Sequence, residues 1–158
     1  MKKYLIVLVL IATSAVAQKK TAGNYGYKSE CLGVEMDGSQ TLKAWGNGRN
    51  RSDAVEQAKK NAVRDVIFNG ISEGKKECNV KPLVFEVNAQ EKYEDYFNAF
   101  FADGGAFKDF ISLRDERILD KWSRDKKGAR ESVTHGLVVR VLRNELKQKL
   151  IADGIIKP

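Results

Sequence analysis

The sequence predicts an α+β fold in which an antiparallel sheet of two β-hairpins is packed on one face by two or three helices, in the order β-β-α-α-β-β-α. Three observations predict it. Two pairs of extended stretches are each joined by a turn, an alanine-striped amphipathic helix follows the first pair, and a shorter amphipathic helix follows the second.

The elements follow in order. Lys2 and Lys3, the apolar run Tyr4 to Ala12 and the small residues Ala15-Val16-Ala17 have the three-part pattern of a cleavable secretory signal peptide over residues 1–17. The run is short for a membrane span, which needs about 20 apolar residues. Residues 18–26 are polar and aperiodic and read as a flexible leader, so residues 27–158 are expected to form a single domain. Tyr27 to Met36 reads as a strand ended by the turn Asp37-Gly38-Ser39. Thr41 to Trp45 continues as its partner and stops at Gly46-Asn47-Gly48.

Ala54, Val55, Ala58, Ala62, Val63, Val66 and Ile67 then recur at helical spacing. Asn50 or Ser52 can cap this helix, and Gly70 closes it. Residues 71–81 form a charged loop, and Pro82 to Val87 reads equally as a short strand or an irregular stretch. A second helix is expected from Ala89 to Ala102, broken by Gly104-Gly105. Leu113 to Trp122 and Ser132 to Val141 make the second hairpin around a turn at Asp125-Lys126-Lys127-Gly128. The last helix starts at Arg143 or Asn144, buries Leu146, Leu150 and Ile151, and ends at Gly154.

Composition narrows the setting. The chain carries a formal charge of +7, which suits contact with lipid headgroups, anionic polysaccharide or an acidic protein, or simply a solvated surface. Cys31 and Cys78 are the only cysteines, and an even pair in an exported chain is expected to form a disulfide. A metal site would need more ligands than these two thiols and the sole histidine, His135, provide. Gln18, not a cysteine, stands directly after the cleavage point, so the protein is expected in the periplasm or at the outer envelope without a lipid anchor.

The run Ala44-Trp45-Gly46-Asn47-Gly48, then Asp53-Ala54, Ala58, Asn61-Ala62 and Val66, resembles a motif of small exported bacterial proteins. These are the twenty-kilodalton outer-membrane lipoproteins and the amino-terminal domain of the flagellar T-ring assembly protein. Gly136 to Val141, followed by Leu146 and Leu150, is similar to the group's final strand and helix, so the resemblance covers roughly residues 40–70 and 112–154. The aromatic segment between about 82 and 111 reads as an insertion. The resemblance implies an envelope protein of structural or assembly type, with no catalytic residues to carry over.

Four features could carry chemistry. Gly46-Asn47-Gly48 lacks the third glycine of a dinucleotide fingerprint, because Arg51 stands in its place, yet Arg49 and Arg51 at a helix start could attract an anion. The adjacent acids Glu94-Asp95 and Asp115-Glu116 point different ways and suit solvated positions. His135 lies in no recognisable nucleophile motif. Tyr93, Tyr96, Phe97, Phe100 and Phe101 either complete the core or form a partner-binding patch. The expectation is therefore a non-catalytic domain acting through protein–protein contact, with an envelope protein as partner. Nucleic acid is not expected as a partner, nor any metal or cofactor. Its alternative is an anionic-ligand module at the Gly46–Arg51 turn.

Overall fold

The computed structural model describes residues 28–127 and 130–157, and it is an α+β domain; the expected signal peptide and leader lie outside the described residues. β1 (Glu30–Val34) and β2 (Gln40–Gly48) form the first hairpin. Gly38 at its turn adopts φ 81°, and Asp37 accepts hydrogen bonds from the Ser39 amide and hydroxyl. β4 (Ile111–Lys127) and β5 (Arg130–Val141) form the second hairpin. The two hairpins join through antiparallel β2–β5 pairing, with Gln40 opposite Val141 and Gly48 opposite Val133.

Two details differ from the expected antiparallel sheet. A two-residue strand, β3 (Glu73–Gly74), adds in parallel to β1, so the sheet is mixed and five-stranded in the order β3-β1-β2-β5-β4. So short a strand carries no periodicity. It is held by the Cys31–Cys78 disulfide and by the Lys75 amide, which donates to Cys31 O at 2.9 Å. In addition, Asp125 to Lys127, expected as a turn, lie within β4. β4 also bulges twice, between Ser112 and Arg117 and between Leu119 and Trp122.

α1 (Arg51–Arg64) runs back over the sheet from the end of β2. Asn50 is its cap, accepting from the Asp53 amide at 2.9 Å. Its buried stripe of Ala54, Ala58 and Ala62 lies on the face shared by Leu42, Ala44 and Gly46 of β2 and Leu137 and Val139 of β5. The small side chains permit backbone-to-backbone approach: a Cβ on Gly46 would stand closer than 3.0 Å to Ala54 O and Ala58 N, and one on Gly48 would meet Ala54 N at 2.5 Å. Asn61 locks the pair by donating to Trp45 O at 2.7 Å. Side chains on the opposite face, among them Lys43, Trp45 and Arg140, are only partly buried among the described residues.

The helix does not stop cleanly at Gly70. Its hydrogen bonding widens after Arg64 into a π turn, Asp65–Asn69, which Gly70 closes at φ 70° with a bond to Asp65 O of 2.7 Å. The widened turn leaves Val66 O and Ile67 O to accept from the amides of Leu83 and Val84, at 3.1 and 2.8 Å. Pro82 to Val87 is therefore irregular chain stitched to a helix end rather than a strand. The helix expected over 89–102 breaks at Tyr93 into α2 (Ala89–Lys92) and α3 (Glu94–Phe100). α2 buries only Ala89, too little apolar surface to hold that turn in line with α3. A 3₁₀ turn, Ala106–Phe110, leads into β4, and α4 (Arg143–Ala152) buries Leu146 and Leu150.

Gly46→Ala should lower stability by about 3 kcal/mol in urea unfolding, because its methyl group meets helix backbone that cannot rotate away. Gly104→Ala, at φ 78° but facing open space, should cost only about 1 kcal/mol. Replacing Cys31 and Cys78 by serine should cost about 4 kcal/mol, the chain-entropy value for a sequence separation of 47 residues, read in the same assay.

Candidate functional site

The π turn, the stitched segment and α2 enclose the candidate site. Phe68, Asn69, residues of the chain from Pro82 to Val87, and Asn88, Gln90 and Glu91 line a groove of about 480 Å³. Phe68, Pro82, Val84, Phe85 and Val87 make its apolar walls. Val84 is buried and its amide donates to Ile67 O, but Phe85 is 70% exposed and Val87 97% exposed. Local geometry accounts for the contrast. Leu83 and Val84 are fixed inward by the π-turn carbonyls, and the irregular chain beyond them turns outward before α2 begins.

The floor of the groove is braced. Phe68 packs edge-on against Phe97 with ring centroids 4.8 Å apart. Asn69 donates to Asp65 Oδ1 at 2.7 Å, while the other oxygen of that carboxylate accepts from the Ser29 hydroxyl at 2.6 Å. On the rim, Lys92 donates to Glu86 at 2.8 Å, and that bond, before any other cause, raises the lysine pKa above its ordinary value. Glu91 makes no ion pair among the described residues.

The aromatic cluster is divided by the fold. Phe97, Phe100 and Phe101 are buried in the core, and Tyr93 and Tyr96 are half-buried against it. Their area is thus largely consumed within the domain, beneath the end of α1, and little of it is left for a partner. Tyr96 donates to Asp153 at 2.6 Å, tying α3 to the end of α4. Burial first, then this bond, drives the phenol pKa far above its usual value. The Asp153 carboxyl is held below its usual range, first by Lys149 and then by Tyr96.

The Gly46–Arg51 turn is spoken for by its own neighbours. Arg49 pairs with Asp53 at 3.2 Å, Asn50 occupies the first-turn amide, and Gly46 and Gly48 serve the close approach of α1. Arg51 is exposed at the first position of α1. The acidic pairs are also dispersed. Asp115 meets Arg140, Glu116 meets Lys59 at 2.9 Å, and Glu94 accepts from Asn98. His135 stands opposite Gly46 in register, with its Nδ1 buried and unpartnered among the described residues. No group of three or more His, Cys, Asp or Glu among the described residues could hold a metal ion.

Sequence reasoning missed Phe85 and Val87. They fall in the stretch Pro82 to Val87, which reads equally as strand or irregular chain, so the sequence does not say which side faces out. No protein-family model matches the chain, and comparison with curated proteins and with solved structures likewise yields no match.

The two sets of apolar residues should respond oppositely to polar substitution. Phe97→Ser or Phe100→Ser should destabilise by about 3–5 kcal/mol in thermal or urea unfolding. Phe85→Ser and Val87→Ser should each stay within about 0.5 kcal/mol of the parent. Equal losses in both sets would mean that the groove walls are core.

Proposed function

We propose that this chain is an exported, non-catalytic domain of the bacterial envelope that works by binding another protein through the groove between the π turn and α2. One observation carries the reading: Phe85 and Val87 stand exposed at the edge of a groove whose lining is otherwise largely polar, while the neighbouring phenylalanines are spent on the core. Holding two large apolar side chains in water has a cost that a covering partner removes. Other large apolar residues are also strongly exposed. Val34 and Met36 lie where β1 ends, Val80 beside Gly70, and Leu113 just after β4 starts opposite Val141.

Further support comes from chemistry and compartment. The acids are dispersed into separate ion pairs, which suits a binding surface better than acid–base catalysis. A Cys31–Cys78 disulfide is compatible with export, and no described helix is long and apolar enough to cross a membrane. The resemblance of Ala44 to Val66 and of Gly136 to Leu150 to exported lipoproteins and the T-ring assembly domain supports an assembly role in the same compartment.

A photo-reactive side chain placed at position 85 tests this in living cells. It should give a discrete adduct with one envelope protein, whereas the same group at position 49, at the far end of the sheet, should not. Equal labelling from both positions, or no adduct from position 85, would overturn the reading.

A further inference from the structure

We propose that a small oxyanion of the phosphate class binds at the N-terminus of α4, between the buried guanidinium of Arg143 and the uncapped amides of the helix's first turn. Arg143 is not among the residues lining the groove, and the site does not depend on what the groove takes.

An uncompensated charge points to it. Arg143 is only 9% exposed. Its Nη2 donates to Lys81 O at 2.9 Å, while Nη1 is buried with no hydrogen-bond partner among the described residues. Lys81 O is a neutral acceptor, so it meets one N–H and leaves the charge unbalanced. Burial alone lowers the guanidinium pKa, and no neighbouring carboxylate offsets it. Of the acids on the elements that meet here, Asp37 accepts from Ser39 and Glu145 is exposed. A charge withdrawn from water without a counter-ion is strongly disfavoured, and a guanidinium does not escape by losing its proton. At Arg49, by contrast, Asp53 already supplies the anion.

The helix end supplies further donors. α4 is ten residues long, and its cap residue Leu142 makes no side-chain bond to the first turn. The Leu146 amide donates to Leu142 O at 2.9 Å, so the amides of Arg143, Asn144 and Glu145 precede the helical ladder and have no place in it. They point outwards at the positive end of the dipole. Helical side chains lean towards the N-terminus, so Arg143, at the first position, carries its guanidinium past that same end to Lys81. A planar guanidinium and a set of amides together suit an ion with several acceptor oxygens better than a monatomic one. Lys81 and Asn144 are exposed, and Lys81 makes no ion pair among the described residues, which leaves its ammonium available to a bound ion.

The test is isothermal titration calorimetry of the full chain with inorganic phosphate at constant ionic strength. One phosphate per chain should bind, with a Kd below about 1 mM. Arg143→Met should abolish binding, and Arg143→Lys, which keeps the charge but loses the planar fork, should weaken it about tenfold. Lys81→Ala, at an exposed position, should weaken it about threefold. Saturating phosphate should also raise the unfolding temperature of the parent and leave that of Arg143→Met unchanged. A residue that merely braces the chain at Lys81 would lower that temperature equally with and without phosphate.

No saturable binding of phosphate, or equal affinity in the parent and Arg143→Met, overturns the inference. Should both Arg143 variants fail to fold by circular dichroism, Lys81→Ala decides, and unchanged affinity there overturns it. Glycerol 3-phosphate distinguishes the sources of the ion. Tighter binding than phosphate assigns the site to a phosphate monoester such as a lipid headgroup, and equal binding assigns it to the free ion.

Discussion

The near contact of α1 with β2 governs this domain. Ordinary helix–sheet layers are spaced by side chains, whereas here Gly46 and Gly48 expose strand backbone to the alanine stripe of the helix. The separation is set by main-chain atoms, which cannot change rotamer, so the helix has one position and one direction. Asn61, reaching down to Trp45 O, fixes its rotation as well. Everything at the far end of α1 inherits that placement: the π turn, the carbonyls it frees, and the segment from Leu83 to Val84 that they hold.

The groove is thus assembled from parts that are individually irregular and jointly constrained. An isolated stretch such as Pro82 to Val87 has no ladder to belong to, and irregular backbone in a small domain is normally mobile. Three ties oppose that here. The disulfide holds Cys78 against β1, Arg143 donates to Lys81 O at 2.9 Å, and the π turn takes the next two amides. Arg143 gives up solvent for this tie, and its burial lowers the guanidinium pKa. The ties fix the segment up to Val84, and the chain from Phe85 onward extends beyond them.

Much of the architecture was legible because it rests on periodic signals. Ala54, Ala58 and Ala62 announce both a helix and its closeness to a neighbour, and the glycine pair marks where that neighbour lies. The run from Gly136 to Val141 reads as an interior strand because β-branched residues cluster there. Cys31 and Cys78 could pair only with each other. What escaped was aperiodic or depended on distant atoms. β3 exists because a disulfide and one amide place two residues beside β1. The π turn looks in sequence like the ordinary end of α1, and the break at Tyr93 reflects how little α2 buries. The candidate site was the least legible part. Aromatic density drew attention to Tyr93 through Phe101, but density shows where apolar area is concentrated, not which face of a helix meets the core. Phe85 and Val87, sparser and flanked by Glu86, were the residues left outside.

The bulge in β4 between Ser112 and Arg117 sends two consecutive acids to different partners, Asp115 to Arg140 and Glu116 to Lys59 of α1. The outermost long strand is thereby pinned from both sides and bent out of the regular pleat. A straight strand of this length would offer its unpaired amides and carbonyls to any similar strand it met, the route by which sheet proteins polymerise into fibrils. The kink and its charges interrupt that edge where it would otherwise be a straight template.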